Sequence, residues 1–205
     1  MSKLAAAPKI HFADRKALRA WFITNHAKAG AFWLIYDKVK DGKRHLTYND
    51  IVEECLCFGF IDSQPRKVSE TQASIYISPR KRGSEWSKLN KSRIVKLQKK
   101  KLMQPAGLKL IAAAKRDGSW NKINSSENFE EPADFQAALK KNKKHRAHFD
   151  SLAPSTRKAF LHRLNSAKTA ATREKRMAFL MQLLEVEMQP SEFRLAFTKG
   201  VIPKR

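Results

Sequence analysis

Extended apolar segments are confined to the first 78 residues of this 205-residue chain. Residues 31–36 are aromatic and branched, residues 60–62 begin a second extended segment, and residues 73–78 alternate apolar and polar side chains as a strand does. The remaining sequence has the spacing of helices. We therefore predict an α+β fold that is mostly α, with a small antiparallel sheet of about three strands in the N-terminal part and a helical C-terminal part.

Local signals mark where helices begin and where modules separate. Asp14, Thr47 and Ser87 are residue types that cap helix N-termini, and a proline such as Pro105 favours the first helical turn. A polar, acidic stretch near residue 124 predicts a linker. We predict three parts: an α+β module at residues 1–124, a helical module at 125–187 and a tail at 188–205, in which Phe193, Leu195 and Phe197 could dock.

The chain is strongly basic, with 42 Lys and Arg against 19 Asp and Glu and a net charge of +23. Residues 79–101 hold ten cations and one acid, and residues 140–176 hold twelve cations and two acids. Self-repulsion on this scale costs stability, which makes a polyanionic partner a candidate. The uneven distribution favours a directed basic face in the first segment, whereas an ordinary solvated helix face is the favoured explanation of the second.

Several classes of protein receive no support from the sequence. There is no apolar run of about 18 residues, so we expect no membrane insertion and a cytoplasmic location. Cys55 and Cys57 lie two positions apart and would face different sides of a helix, which predicts buried, reduced thiols. We also expect no metal site and no cofactor, because the sequence contains neither a metal-ligand motif nor a nucleotide-binding glycine loop.

The basic segment at residues 79–101 contains the best candidate for a binding site. Its serines lead into a predicted helix, whose free N–H groups favour an anion, and arginines at the same end can bind phosphate or carboxylate. A tryptophan there could stack on a base or sugar. Alternatively, Ser87 only caps the helix and Trp86 belongs to the core. The predicted anion-binding residues are Arg80, Lys81, Arg82, Ser84, Trp86, Ser87, Lys88, Asn90 and Lys91.

A second, smaller group of polar residues could belong to a pocket. Asp62 follows an apolar run and could act as a general base or simply cap a bend, with Tyr48 nearby. The sequence contains none of the common hydrolase, kinase or metalloprotease motifs. Whether the protein is an enzyme stays open at this point.

Four motifs occur in an order that resembles a known family. They are residues 57–62 (CFGFID), Pro79-Arg80 followed by residues 84–90 (SEWSKLN), residues 117–120 (DGSW), and Ala167-Lys168 with Thr172-Arg173. Over residues 12–184 the chain looks like the YdeI/OmpD-associated family, also named bacteriocin-protection proteins.

This chain departs from the family pattern at three places. It has Phe60 where the family usually has tryptophan, Lys101 in place of a glycine, and Ala171 in place of an acid. The last change removes a possible ion-pair partner of an arginine. The resemblance implies a bacterial, cytoplasmic, mostly helical protein with some link to resistance against bacteriocins or cationic peptides. A protein of charge +23 would repel a cationic peptide, so that link would be indirect.

Three functions are compatible with these observations. The leading hypothesis is a non-enzymatic protein that binds a polyanion, in particular nucleic acid, through residues 80–101. The second is an enzyme or sensor for a small phosphorylated anion held at the helix start at residues 84–90. The third is a stress-related scaffold whose basic surface is incidental. A closed pocket joining Asp62, Arg80 and Trp86 would favour the second hypothesis, and an open basic groove would favour the first. A buried Trp86 together with an Arg80 that is salt-bridged inside the fold would count against both.

Overall fold

The computed structural model describes residues 6–39, 42, 45–186 and 190–202. The chain divides into two compact units, Met1–Lys122 and Ile123–Arg205. The first unit is α+β and the second is helical, which confirms the predicted fold class. Each unit has its own hydrophobic core.

A mixed four-stranded sheet lies in the first unit, in the order β1-β2-β4-β3. Strand β1 is parallel to β2, and the other neighbours are antiparallel. The predicted antiparallel sheet of about three strands therefore lacked β1, a three-residue strand whose sequence is too short to show alternation. The strands are β1 (Lys9–His11), β2 (Phe32–Asp37), β3 (Phe60–Lys67) and β4 (Gln72–Pro79).

The two faces of this sheet differ in composition. Phe32 and Leu34 of β2 and Ile75 and Ile77 of β4 point into the core of the unit. Because side chains alternate along a strand, Trp33 and its register partner Tyr76 lie on the opposite face. The core covers one face of the sheet, and the second face carries its own aromatic pair.

Four helices complete the first unit, and three of them begin at the predicted cap. Asp14 accepts a hydrogen bond from the backbone of Ala17, Thr47 forms a reciprocal capping box with Asp50, and Ser87 accepts from Asn90. These contacts confirm the predicted helix starts. The helices are α1 (Arg15–Asn25), α2 (Tyr48–Phe58), α3 (Lys88–Lys99) and α4 (Pro105–Arg116).

Helices α2 and α4 approach each other closely at Gly107. A Cβ atom on this residue would lie 2.4 Å from the carbonyl oxygen of Cys57 and 2.5 Å from that of Leu56. Only glycine leaves room for this contact between the two backbones. The contact fixes α4 against the end of α2, next to the strand that leads into the basic segment.

The second unit is built around aromatic and leucine side chains of its longer helices. Phe160 is central, with Phe149 at 5.7 Å and Phe193 stacked at 5.9 Å between ring centroids. The helices are α5 (Asn124–Glu127), α6 (Ala133–Lys140), α7 (Lys143–Ser151), α8 (Pro154–Asn165), α9 (Ala170–Glu185) and α10 (Pro190–Lys199). The short helix α5 lies where the sequence predicts a linker.

Helix α10 lies in the segment for which the sequence predicts a tail, residues 188–205. Phe193 is buried, and the ring of Phe197 stacks on Phe160 at 5.3 Å. Two aromatic side chains four residues apart give the helix an apolar face, and this face packs on the core of the unit. Residues 190–199 of the predicted tail are therefore helical, and Phe193 and Phe197, two of the three side chains that could dock, pack on the core.

Candidate functional site

Arg80 follows strand β4 and is buried, with 5% of its surface exposed. Its Nη1 donates a hydrogen bond of 2.9 Å to the carbonyl oxygen of Glu85, and its guanidinium carbon lies 4.0 Å from the ring centroid of Trp86. Desolvation lowers the pKa of Arg80 to about 10, and attraction to Asp62 opposes that shift. Arg80 is thus part of the interior, where its aliphatic stem and planar head pack on an indole.

Trp86 is also an interior residue, with 3% of its surface exposed. Its ring packs against Trp120, which follows the turn at residues 117–119, with 5.3 Å between centroids. Trp86 therefore belongs to the core, the alternative that the sequence also offered, and its ring is not open to a base or sugar. The reason is that a second tryptophan, distant in sequence, occupies its accessible side.

The polar residues at the start of α3 make local contacts. Ser84 donates its hydroxyl hydrogen to the carbonyl oxygen of Lys81. Ser87 accepts from the backbone of Asn90 at 3.2 Å, and the Asn90 side-chain oxygen accepts from Arg93 at 2.9 Å. These groups shape the loop and the first helical turn.

The remaining predicted cations reach the surface. Lys81, Arg82 and Lys88 are exposed, and farther along α3 so are Lys96 and Lys99. Among the described residues, no acid forms an ion pair with any of these five side chains. Lys91 is half-buried, and its amine lies 5.3 Å from the ring centroid of Trp120. Five cations therefore lie on one solvent-exposed stretch of chain, and one of them, Arg82, lies close enough to Asp117 to assist the hydrogen bonds from Ser119 in lowering the pKa of that carboxyl.

The single acid of residues 79–101 is itself engaged. Glu85 forms an ion pair of 3.1 Å with Lys122, outside the segment.

Tyr48 and Asp62 are in direct contact. The Tyr48 hydroxyl donates a hydrogen bond of 2.7 Å to the Asp62 carboxylate. Partial burial, together with this carboxylate, raises the pKa of Tyr48 to about 12. A tyrosine in this state holds its proton and does not serve as a base at neutral pH.

The cavity beside Arg80 and Trp86 is very small, about 10 Å³. This volume suits a single water molecule. It is lined by residues 80–84 and by side chains of α4, and neither Asp62 nor Tyr48 contributes to the lining. The cavity next to Arg80 therefore does not join Asp62 to Arg80 and Trp86. Such a joined cavity would have favoured an enzyme that acts on a small anion.

The second basic segment, residues 140–176, uses its arginines structurally. Arg146 pairs with Glu131 at 2.8 Å and also with Asp150. Arg173 pairs with Asp134 at 2.6 Å and donates to the carbonyl oxygen of Leu164. Arg173 thus has an acidic partner on α6, although Ala171 stands where the family usually has an acid. The hydrogen bond from Arg173 lowers the pKa of Asp134.

A buried ionic cluster lies between α1 and α2, and it was not predicted from the sequence. Glu54 has no exposed surface and accepts hydrogen bonds from Arg15 at 2.8 Å and from Arg19 at 2.9 Å. Arg15 also contacts Asp50 and Glu53. The available signal was an acid inside the apolar stretch of α2, a position where a charge is tolerated only when it is paired.

The cysteines and the surrounding structure offer no reactive centre. Cys55 and Cys57 are buried free thiols, as predicted, and burial raises the pKa of Cys57 to about 11. No group of three or more His, Cys, Asp or Glu side chains among the described residues could hold a metal ion. Within the same ranges, none of the helices combines the length and apolar character needed to cross a bilayer.

Comparison with known families gives two matches along the chain. Residues 128–186 match the family model described as "Bacteriocin-protection, YdeI or OmpD-Associated". This region is a YdeI/OmpD-associated domain. Residues 10–110 match a domain of unknown function, DUF8412. No curated protein and no solved structure shows a significant match to the chain.

The two matches divide the motifs that suggested the family. The motif at residues 167–173 lies inside the YdeI/OmpD-associated domain. Residues 57–62 and the basic motif at 79–90 lie in the region that matches the domain of unknown function, and residues 117–120 lie between the two. The candidate anion-binding residues therefore belong to the part of the chain whose matching family has no described function.

Proposed function

We propose that this protein binds nucleic acid or a similar polyanion, without catalysing a reaction, through a basic face on and before α3. We define the α3 face as Lys81, Arg82, Lys88, Lys96 and Lys99. The observation that carries the proposal is that these five cations are exposed and that, among the described residues, none of them forms a direct ion pair, although Asp117 attracts Arg82. A surface of this kind attracts a polyanion through counterion release.

The spacing of the lysines on α3 suits a phosphate backbone. Lys88, Lys96 and Lys99 lie along the exposed side of the helix, opposite the buried Ile94 and Leu97. From Lys88 to Lys99 the helix rises roughly 16 Å. Double-stranded DNA carries a charge about every 1.7 Å along its axis, so the face can meet several phosphates at once.

The helix dipole distinguishes the two ends of the face. Lys96 and Lys99 lie in the last turn of α3, where cations are favoured without any ligand. Lys88 is the first residue of α3, where the dipole disfavours cations, and Lys81 and Arg82 precede it in the chain. An anion bound near the start of α3 would compensate for that cost. The N-terminal half of the face is therefore the part that most needs a partner.

The alternative of an enzyme or sensor for a small phosphorylated anion has less support. Arg80 and Trp86 are buried against each other, and the neighbouring cavity of about 10 Å³ is far smaller than ligand pockets, which are typically about 300 Å³ or more. Ser84, Ser87 and Asn90, which would hold the anion, are engaged in local hydrogen bonds. An extended, open surface fits these observations better than a closed site.

The family name suggests how such binding could matter in a cell. The YdeI/OmpD-associated family is named for bacteriocin protection. Direct capture of a cationic peptide by a protein with a net charge of +23 is opposed by electrostatic repulsion. A contribution to resistance would thus be indirect, through the polyanion that the protein binds.

Fluorescence anisotropy of a labelled oligonucleotide tests the proposal. At about 50 mM salt we expect binding at micromolar protein, and we expect the affinity to fall by orders of magnitude as salt rises to about 200 mM. An absence of binding at low salt, for both single strands and duplexes, would contradict the proposal. So would an affinity that does not change with salt.

A further inference from the structure

The sheet face opposite the core carries a second concentration of aromatic and basic side chains. A hollow of about 440 Å³ lies on this face, lined by Trp33 and Ile35 of β2, Ser74 of β4, and Lys9, Arg66, Lys67 and Val68. Its volume is in the range of pockets that hold drug-sized ligands. The hollow lies within the first unit and shares no residue with the α3 face.

An arginine–tryptophan stack forms the floor of the hollow. The guanidinium carbon of Arg66 lies 4.3 Å from the ring centroid of Trp33. Tyr76 meets the same indole edge-on, with 5.1 Å between centroids. Trp33 is buried beneath this cover, and Arg66 itself is exposed. The indole covers one side of the guanidinium, so its other side faces the hollow.

Arg66 is held in place by stacking alone. Among the described residues, no hydrogen bond or ion pair engages its guanidinium, and its contact with Trp33 is the interaction that fixes it. The N–H donors of an exposed arginine ordinarily form hydrogen bonds with water or with a nearby acid. Here the planar group stacks on the indole, and no described residue engages its N–H donors, which leaves them to a ligand.

The side chains that line the hollow include three cations, Lys9, Arg66 and Lys67, and no acid. Lys9 is exposed and has no ion-pair partner among the described residues. Asp37, the acid on this face, is engaged by His11 at 3.2 Å and by Gln72 at 3.0 Å. Lys67 pairs with Glu70 at the rim. The hollow thus combines a flat stacking surface with cations, which matches the chemistry of a nucleotide unit.

We propose that this sheet face binds single-stranded nucleic acid, with an unpaired base on the Arg66–Trp33 stack and the adjoining phosphate near Lys9. Proteins that bind single strands combine aromatic and arginine planes with a basic groove in this way. Bases of a duplex are stacked inside the helix and cannot reach such a platform. The inference deepens the proposed function, on which it rests for the polymer's identity, because it assigns a strand form to a separate surface.

Binding of a short labelled oligothymidylate to three variants tests this assignment. Arg66→Ala removes the platform, and we expect it to weaken single-strand binding about tenfold. Arg66→Lys keeps the charge but not the plane, so we expect nearly the same loss. The matched control, Arg116→Ala, removes an exposed arginine from the same unit and should change affinity less than about twofold.

Three outcomes would overturn the assignment. If Arg66→Lys binds like the wild type, the contact is a point charge and no base stacks there. If Arg66→Ala weakens duplex binding as much as single-strand binding, the face does not select single strands. If thymidine monophosphate displaces the oligonucleotide at matched nucleotide concentration, the hollow is a free-nucleotide site.

The same experiment separates this inference from the proposed function. Substitution of the α3 lysines should weaken duplex and single-strand binding together, whereas the Arg66 variants should affect single strands alone. Loss with the α3 variants and none with the Arg66 variants would contradict the sheet-face assignment and leave the α3 proposal intact. The reverse pattern would contradict the α3 proposal. Failure of the wild type to bind any oligonucleotide would contradict both.

Discussion

Some charged side chains of the first unit stabilise the fold, and others are exposed and available to bind a ligand. Arg15 and Arg19 of α1 both donate hydrogen bonds to Glu54 of α2. Arg80 is buried on Trp86. The exposed lysines of the α3 face have no such role. Substitutions in the two groups should therefore differ in what they change, stability for the first and binding for the second.

Glu54→Gln should strongly destabilise the protein. The substitution leaves Arg15 and Arg19 facing a neutral amide in a site with no exposed surface, and breaking a buried ion pair in this way costs roughly 3–5 kcal/mol. Urea denaturation followed by circular dichroism measures the change. The control is Glu70→Gln, which breaks an exposed pair with Lys67 and should cost less than about 1 kcal/mol. Equal effects of the two substitutions would refute the structural role of the Glu54 cluster.

At the scale of elements, sequence predicts best what is decided locally. The caps at Asp14, Thr47 and Ser87 were predicted because a side chain bonds to a backbone group three residues away. Strand β1 and helix α10 depend on distant partners, since β1 pairs with β2 and α10 packs through Phe193 and Phe197 on Phe160. Short segments with such partners have weak local signals.

The packing of α4 on α2 should be sensitive to one methyl group. Gly107→Ala places a Cβ atom against two backbone carbonyl oxygens, which cannot move as a flexible side chain can, and overpacking of this kind costs about 1–3 kcal/mol. Thermal or urea unfolding provides the readout. Gly30→Ala is the matched control, because no atom lies within 4 Å of its added Cβ, and it should be neutral or slightly stabilising. An unchanged stability of Gly107→Ala would mean that the helices do not approach so closely.

At the scale of the whole molecule, the sequence shows where the positive charge lies but does not show which cations form ion pairs within the fold. Residues 79–101 and 140–176 look equivalent in composition, yet arginines of the second segment form ion pairs with Glu131, Asp150 and Asp134. Of the nine predicted anion-binding residues, Arg80 and Trp86 are buried, and Ser84, Ser87 and Asn90 are engaged locally. The burial of Arg80 and Trp86 depends on long-range packing, such as Trp120 on Trp86, which no local pattern contains.

The most direct test of the central claim compares two variants of equal charge. One carries Lys88→Gln, Lys96→Gln and Lys99→Gln on the α3 face, and the other carries Lys140→Gln, Lys144→Gln and Lys175→Gln in the second unit, all at exposed positions. Oligonucleotide affinity is measured across salt concentrations. We predict that the α3 variant loses affinity and that its slope of log K against log salt falls by about 2–3, while the other variant changes little. Equal losses would mean that overall charge, and not the α3 face, determines binding.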